Sequence, residues 1–397
     1  MQRLSQSPTD PAFVQDPYPF YARARASGPL VWWEDYDMPC ATTHEAVNAV
    51  LRDRRFGREE PEELRRPIPD HLAPFYAVEA HSMLELEPPR HSRLRSLVLR
   101  AFTSRRIAGL QSGIETLCHE LIDRFPEGRF DLLDAYARPL PVTVIARLLG
   151  VPEEMGPQLL RWSNDMVKMY MAGRSRADED AAVSATEAFV AFMRDYVARR
   201  RKDPRDDLIT SLIAAEEDGE RLTTDELITT CILLLNAGHE ATVHTLGNGV
   251  KSMLEHGVVP GEKPEALVEE IMRFDPPLHM FTRYAYEEIS FCGHVFQRGE
   301  QIGLLLGSVG RDEVVNDNPD AFDPDRAAAT HLAFGAGLHF CVGAPLARME
   351  LQIALPILWD RCPGLSLAEP PRYADIYHFH GLESLHVTRS ATGVGAR

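Results

Sequence analysis

The chain lacks paired cysteines: its six (Cys40, Cys118, Cys231, Cys292, Cys341 and Cys362) follow no C-x-x-C spacing, so neither a zinc site nor a disulfide framework is indicated. It also lacks an apolar leader. The start, MQRLSQSPTDPAF, has no hydrophobic core of a signal peptide, and no later run approaches the roughly 18 apolar residues of a membrane span. A soluble, cytoplasmic protein is expected. Positive charge is in deficit too: the formal net charge of -17 argues against a general nucleic-acid binder, because attraction to phosphate needs a basic face. Finally, there is no Ser/Gly linker, repeat or low-complexity run. The 397 residues would allow two or three domains at about 150 residues each, but turn residues are spread evenly, and a single domain over residues 1–397 is expected.

What is present is mostly helical periodicity. IAGLQSGIETLCHELIDRF and SATEAFVAFMRDYVARRRKD carry apolar residues at helical spacing through the first two thirds. The remainder is mixed, and ISFCGHVFQRGEQIGLLLGS alternates around RGE as a hairpin would. One helix stands apart. Thr223 and Glu226 match the S/T-x-x-E capping box, and the following CILLL is apolar on all sides, which places this helix in the interior. Gly238 interrupts it, marking a close approach, a local distortion or ordinary helix packing.

The segment FGAGLHFCVG, Phe334 to Gly343, surrounds one cysteine with three glycines. Gly335, Gly337 and Gly343 permit backbone conformations barred to other residues, and an amphipathic helix follows at once. A cysteine just before a helix N-terminus is stabilised as thiolate by the helix dipole and backbone amides. Such a thiolate serves as a covalent nucleophile or as a soft ligand to a metal or haem iron.

This stretch resembles the cysteine-ligand loop of the cytochrome P450 family, with Phe334, Gly335, Gly337, His339, Cys341 and Gly343 all in the family's places. Three further motifs follow the family's order. PEALVEEIMRFDPP contains Glu270 and Arg273 as an E-x-x-R pair, and AFDPDRA places Arg326 where the family completes a buried ion network; alone, such a pair reads as a surface bridge. EPPRHSRLRSLV puts His91 and Arg95 on one helical face, a basic surface helix by itself. AGHEAT matches the family's distal segment at Ala237, Gly238 and Glu240. Ala241 departs from it, standing where threonine is usual, and Thr242 is rotated by about 100° around the helix.

The resemblance implies a mainly α fold with a smaller β-rich part, the cytochrome P450 fold. It implies haem b (iron protoporphyrin IX) with Cys341 as iron ligand, and His91, Arg95, Arg283 and His339 on the propionates. The implied activity is monooxygenation: thiolate ligation favours O–O cleavage, while the distal side must deliver protons. With no flavin-domain extension, electrons would come from a ferredoxin or flavodoxin type donor with its reductase, and Arg93, Arg95, Arg100 and Arg348 offer a basic patch for it. Leu233, Asn236, His279 and Phe379 are implied around the substrate, a small apolar molecule carrying a polar group. At Ala241 a water chain from Glu240, completed by that polar group, is favoured over an inward turn of Thr242. Two other functions compete: a haem-binding sensor or storage protein, and a hydrolase using the cysteine as nucleophile.

Overall fold

The structure is a computed structural model, and it describes residues 1–170, 174–217 and 219–389. The helices that position the site are α1 (Ala73–Glu79), α2 (Arg90–Ala101), α3 (Gln111–Asp123), α4 (Gly156–Val167), α5 (Arg176–Lys202), α6 (Thr224–His256), α7 (Pro264–Phe274) and α8 (Ala344–Arg361). Among the described residues no helix is long and apolar enough to cross a membrane. The chain forms two compact units: residues 1–56, 111–140 and 241–397 make the first, and 57–110 with 141–240 the second.

The first unit is built on a six-stranded sheet. Strands β1 (Gln2–Leu4), β2 (Leu30–Trp33), β3 (Met38–Ala41), β4 (Phe56–Gly57), β5 (Met280–Ala285) and, after a hairpin, β8 (Gln301–Leu305) lie in the order β1-β2-β3-β8-β5-β4. β8 runs parallel to β3 and antiparallel to β5, Gly303 facing Cys40 on one side and Thr282 on the other. The strands bury Leu30, Ala41, Ala285, Ile302 and Leu304 against Val47, Val50 and Leu51. A second cluster of Phe13, Phe20, Tyr21, Trp33 and Tyr377 covers the other face.

The intervening hairpin, β6 (Ile289–Phe291) and β7 (His294–Phe296), turns at Cys292 and Gly293, not at RGE. Both turn residues have positive φ, 47° and 78°, the two-residue geometry that matches strand twist. Arg298 to Glu300 instead form the bend from β7 into β8, where Gly299 donates its N–H to Ala285 O.

In the second unit α5 packs on α4 and α1. Its start is a capping box, with the Ser175 hydroxyl accepting from Asp178 N and the Asp178 carboxylate accepting from Ser175 N. α6 begins in the same manner: Glu226 N donates to Thr223 Oγ1 and Thr223 N donates to Glu226 Oε2. The helix then runs unbroken for 33 residues. Gly238 does not interrupt it; a Cβ there would come 3.3 Å from Ile145, so the glycine serves close packing.

Candidate functional site

In the cysteine loop, Cys341 N donates to Phe334 O and Phe340 N donates to Gly337 O. Gly335 and Gly337 adopt φ of +68° and +67°, and a Cβ on Gly337 would fall 2.3 Å from Leu51 O. These two positions therefore demand glycine. Gly343 does not: its φ is -79° as N-cap of α8. A Cβ there would make only an ordinary van der Waals contact, 3.8 Å from the Cys341 sulfur, so the protein itself does not demand glycine at this position. Cys341 is half-buried directly before the first turn of α8, where helix dipole and amides favour a thiolate. By contrast, burial pushes the Cys40 and Cys231 thiols up to about 12, which makes them inert hydrophobes.

Strand β5 closes one side of this loop. Phe281 lies 3.6 Å from where a Gly335 Cβ would be, and Arg283, two residues on, shares its face of the strand. Arg283 is 3% exposed and gives one N–H to Thr282 O. His339 ends the short turn Gly337–His339 and is half-buried. In the second unit, His91 is buried and Arg95 half-buried one turn later on α2.

The exposure pattern of α6 is uneven. Cys231, Ile232, Leu235, His239, Thr242 and Val243 are buried, whereas Leu233, Asn236, Ala237, Glu240, Ala241 and His244 keep accessible surface. Between Cys231 and His244 these positions recur at spacings of three and four and form one stripe, with Gly238 accessible beside it. Ala241 lies on the stripe and Thr242 off it. His239, which sequence reasoning passed over, donates from Nδ1 to Leu235 O and brings Nε2 to 3.4 Å from Glu240.

Glu270 and Arg273 are both fully buried, joined by bonds of 2.6 and 2.8 Å, and Arg326 adds a third bond of 2.8 Å to the same carboxylate. Phe379 is half-buried and bridges Leu278. His279 differs from expectation. It has no accessible surface, bonds to Tyr21 through Nδ1 at 2.9 Å and packs 4.2 Å from the His380 ring, so a substrate cannot reach it. Burial holds its imidazole well below the ordinary range. The basic patch is also smaller than its sequence suggests: Arg93 is paired with Glu220 and Glu226, and Arg348 with Glu269.

The residues around the loop fit a haem-thiolate centre: a thiol at a helix start, two positive-φ glycines that cramp the loop, and a buried arginine on the adjoining strand. The comparisons with known proteins agree. The family model described as Cytochrome P450 matches residues 24–259 and 265–362. The biotin biosynthesis cytochrome P450 of Bacillus subtilis is 35% identical over 97% of this chain and 99% of its own. The cytochrome P450 monooxygenase PikC of Streptomyces venezuelae is 36% identical over 90% and 87%. Among solved structures, P450BioI in complex with an acyl carrier protein ligated by hexadec-9Z-enoic acid superposes with a TM-score of 0.88 at 34% identity, covering 96% of this chain and 100% of that one. The chain belongs to the cytochrome P450 family of haem-thiolate monooxygenases.

Proposed function

We propose that residues 1–397 act as one cytoplasmic haem b domain, in which Cys341 ligates the iron and Arg283, His339, His91 and Arg95 hold the propionates. Bound in this way, the haem would supply oxygen activation with thiolate ligation. Arginine can grip a carboxylate bidentately and histidine can donate to it, which suits a group with two carboxylates. Phe334, Gly335 and Gly343 would give the thiolate a shielded, uncrowded seat. Ala237 would leave room on the distal side, while Gly238 would let α6 pack closely on Ile145.

The observation that carries this reading is the presence of one half-buried thiol at the start of α8 together with one accessible stripe on the buried helix α6. Leu233 and Asn236 on the stripe, with Phe379, would line a pocket for a small apolar substrate bearing a polar group. Glu240 would hand protons along the stripe through water, and the polar group would complete the chain at Ala241, where no hydroxyl is available. Electrons would arrive from a ferredoxin or flavodoxin type donor served by a reductase.

Cys341→Ser tests the reading. The thiolate-type carbon monoxide spectrum and all oxygenation should disappear, since a neutral hydroxyl replaces a soft anion poorly. Retention of that spectrum would assign the ligand to another cysteine. A screen of small ligands for a haem spin-state change in the native protein would then narrow the substrate.

A further inference from the structure

The first unit holds a buried cluster that the proposed chemistry does not use. Asp275 caps the C-terminus of α7, His279 leads into β5, and His380 lies in the turn before Leu382. Each offers one donor atom, and the three atoms lie within 4.8 Å of one another. The residues are 3%, 0% and 2% exposed. His380 Nε2 approaches Asp275 Oδ1 to 3.3 Å, and the two imidazole rings are 4.2 Å apart.

The surroundings hold these three side chains in place. Tyr21 donates its hydroxyl proton to Tyr377 at 3.0 Å, so its oxygen accepts from His279 Nδ1–H at 2.9 Å. That bond fixes the tautomer and leaves His279 Nε2 with a lone pair. Among the described residues, His279 Nε2 and His380 Nε2 are both buried with no hydrogen-bond partner. Tyr18 donates to Asp275 Oδ1 at 2.7 Å, Tyr373 donates to Oδ2, and Asn248 donates to the carbonyls of Asp275 and His380 at 3.3 and 2.8 Å. Donors and acceptors behind two imidazoles and a carboxylate are the outer support that metal ligands ordinarily have.

Charge points the same way. Asp275 is nearly as buried as Glu270, yet among the described residues no arginine or lysine is bonded to it. Burial opposes its ionisation, but His380 outweighs that and holds the carboxyl well below the ordinary range. Lys251 contributes less and is itself bonded to Glu255 at 2.8 Å. A plain ion pair between a protonated His380 and Asp275 would leave the lone pair of His279 Nε2 unmatched in the interior, which is costly. A divalent cation meets all three atoms at once.

The spacing suits a small ion held directly between the side chains. Tetrahedral ligation at about 2.0–2.1 Å sets ligand atoms about 3.3–3.4 Å apart, and His380 and Asp275 already stand at 3.3 Å. The His279 atom lies within 4.8 Å of both and has at most about 1.5 Å to close. An ion sealed in this way is taken up as the chain folds, so it needs no open path in the finished structure.

We propose that Asp275, His279 and His380 bind a structural divalent cation of the zinc class, with a water as fourth ligand. Two imidazoles and one carboxylate suit zinc and its neighbours, whereas magnesium and calcium select oxygen ligands. The ion joins the end of α7, the start of β5 and the turn carrying His380, three places that are distant in the chain. Its contribution is to stability, and it is separate from the haem chemistry.

The test uses haem-loaded protein expressed with added zinc sulfate and then dialysed. Zinc is counted against haem iron by mass spectrometry, and its ligands are read by X-ray absorption at the zinc edge. The expected result is about one zinc per haem in a shell of nitrogen and oxygen that includes two imidazoles. Asp275→Asn and His380→Gln should each hold less than about a tenth of that, and Tyr21→Phe, which only unties His279, should lose zinc to a competing chelator about tenfold more readily. Haem content controls for folding. The zinc-loaded native protein should also melt at a higher temperature than protein grown without zinc. The native protein alone can overturn the proposal: less than about a tenth of a zinc per haem, sulfur in the zinc shell, or equal melts with and without zinc would each do so. A full complement of zinc in both Asp275→Asn and His380→Gln, or an unchanged affinity in Tyr21→Phe, would overturn it as well.

Discussion

Arg348 gives two hydrogen bonds to Glu269, of 2.5 and 2.8 Å, while its guanidinium lies 4.4 Å from the Phe334 ring centre. The cation just past the cysteine loop is thus bound to α7, and His331 meets the same carboxylate at 3.0 Å. Burial would raise Glu269, but Arg348 and His331 outweigh it and hold the acid at about 2. Arg348→Gln should lower stability by about 1–3 kcal/mol, since a charge-assisted bidentate pair and a cation–π contact are both lost. A thermal melt of the haem-loaded protein reads this directly. An unchanged melt would return Arg348 to the role of a solvated surface charge, available to an electron donor.

The neighbouring Glu270 differs in degree of burial. It accepts from Arg273, from Arg326 and from Asp323 N, the last at 2.7 Å. Glu270→Ala leaves two guanidinium groups without their carboxylate, at a cost of about 3–5 kcal/mol, much of a typical domain's stability. Little folded protein should be recovered, while Glu269→Ala, with a carboxylate 31% exposed, should still fold. Equal yields of the two variants would contradict the ranking.

Glu350 makes stability depend on pH. This α8 carboxyl is 2% exposed with one oxygen unpartnered among the described residues, and burial raises it to about 8. The native state therefore keeps its proton up to that pH, whereas the unfolded chain releases it near 4.5. Below the lower value the group is neutral in both states and without effect. As pH rises between the two, stability falls, by on the order of 5 kcal/mol in total. Glu350→Gln should remove that fall: the variant should resemble the native protein at about pH 4.5 and exceed it at about pH 8.5. Urea midpoints at both pH values decide the matter, and a constant difference would mean that Glu350 is already ionised in the fold.

The family and the main helices were legible because they depend on local signals: the capping box at Thr223 and Glu226, the glycines around Cys341, the E-x-x-R spacing. Three readings needed the structure. Gly343 looks like its neighbours in sequence, but its φ of -79° and an ordinary 3.8 Å contact for a Cβ show that neither backbone angle nor crowding demands glycine there. His279 sits in a segment the family places near the substrate, and its burial against Tyr21 and His380 comes from residues far away in the chain. The Glu269 carboxylate meets His331 and Arg348, the latter 79 residues further on, and no periodicity connects them.

Ala241 is where this chain leaves its family's pattern, and the departure falls on proton delivery. Oxygen cleavage consumes protons, and a methyl group can neither donate one nor hold a water. Thr242, the nearest hydroxyl, is 5% exposed and off the accessible stripe. Glu240 is on the stripe, with 23% of its side chain exposed, but it lies one residue short of the position a threonine would fill. A polar group on the substrate would complete the path, so coupling of reductant to product should fall for analogues that lack it. Ala241→Thr should restore part of that loss, because a hydroxyl at this position would face the stripe. Product per NADH and peroxide released, measured for both proteins with both ligands, give four values. Equal coupling in all four would end the substrate-assisted account, and a loss on Thr242→Ala alone would transfer the role to the buried hydroxyl.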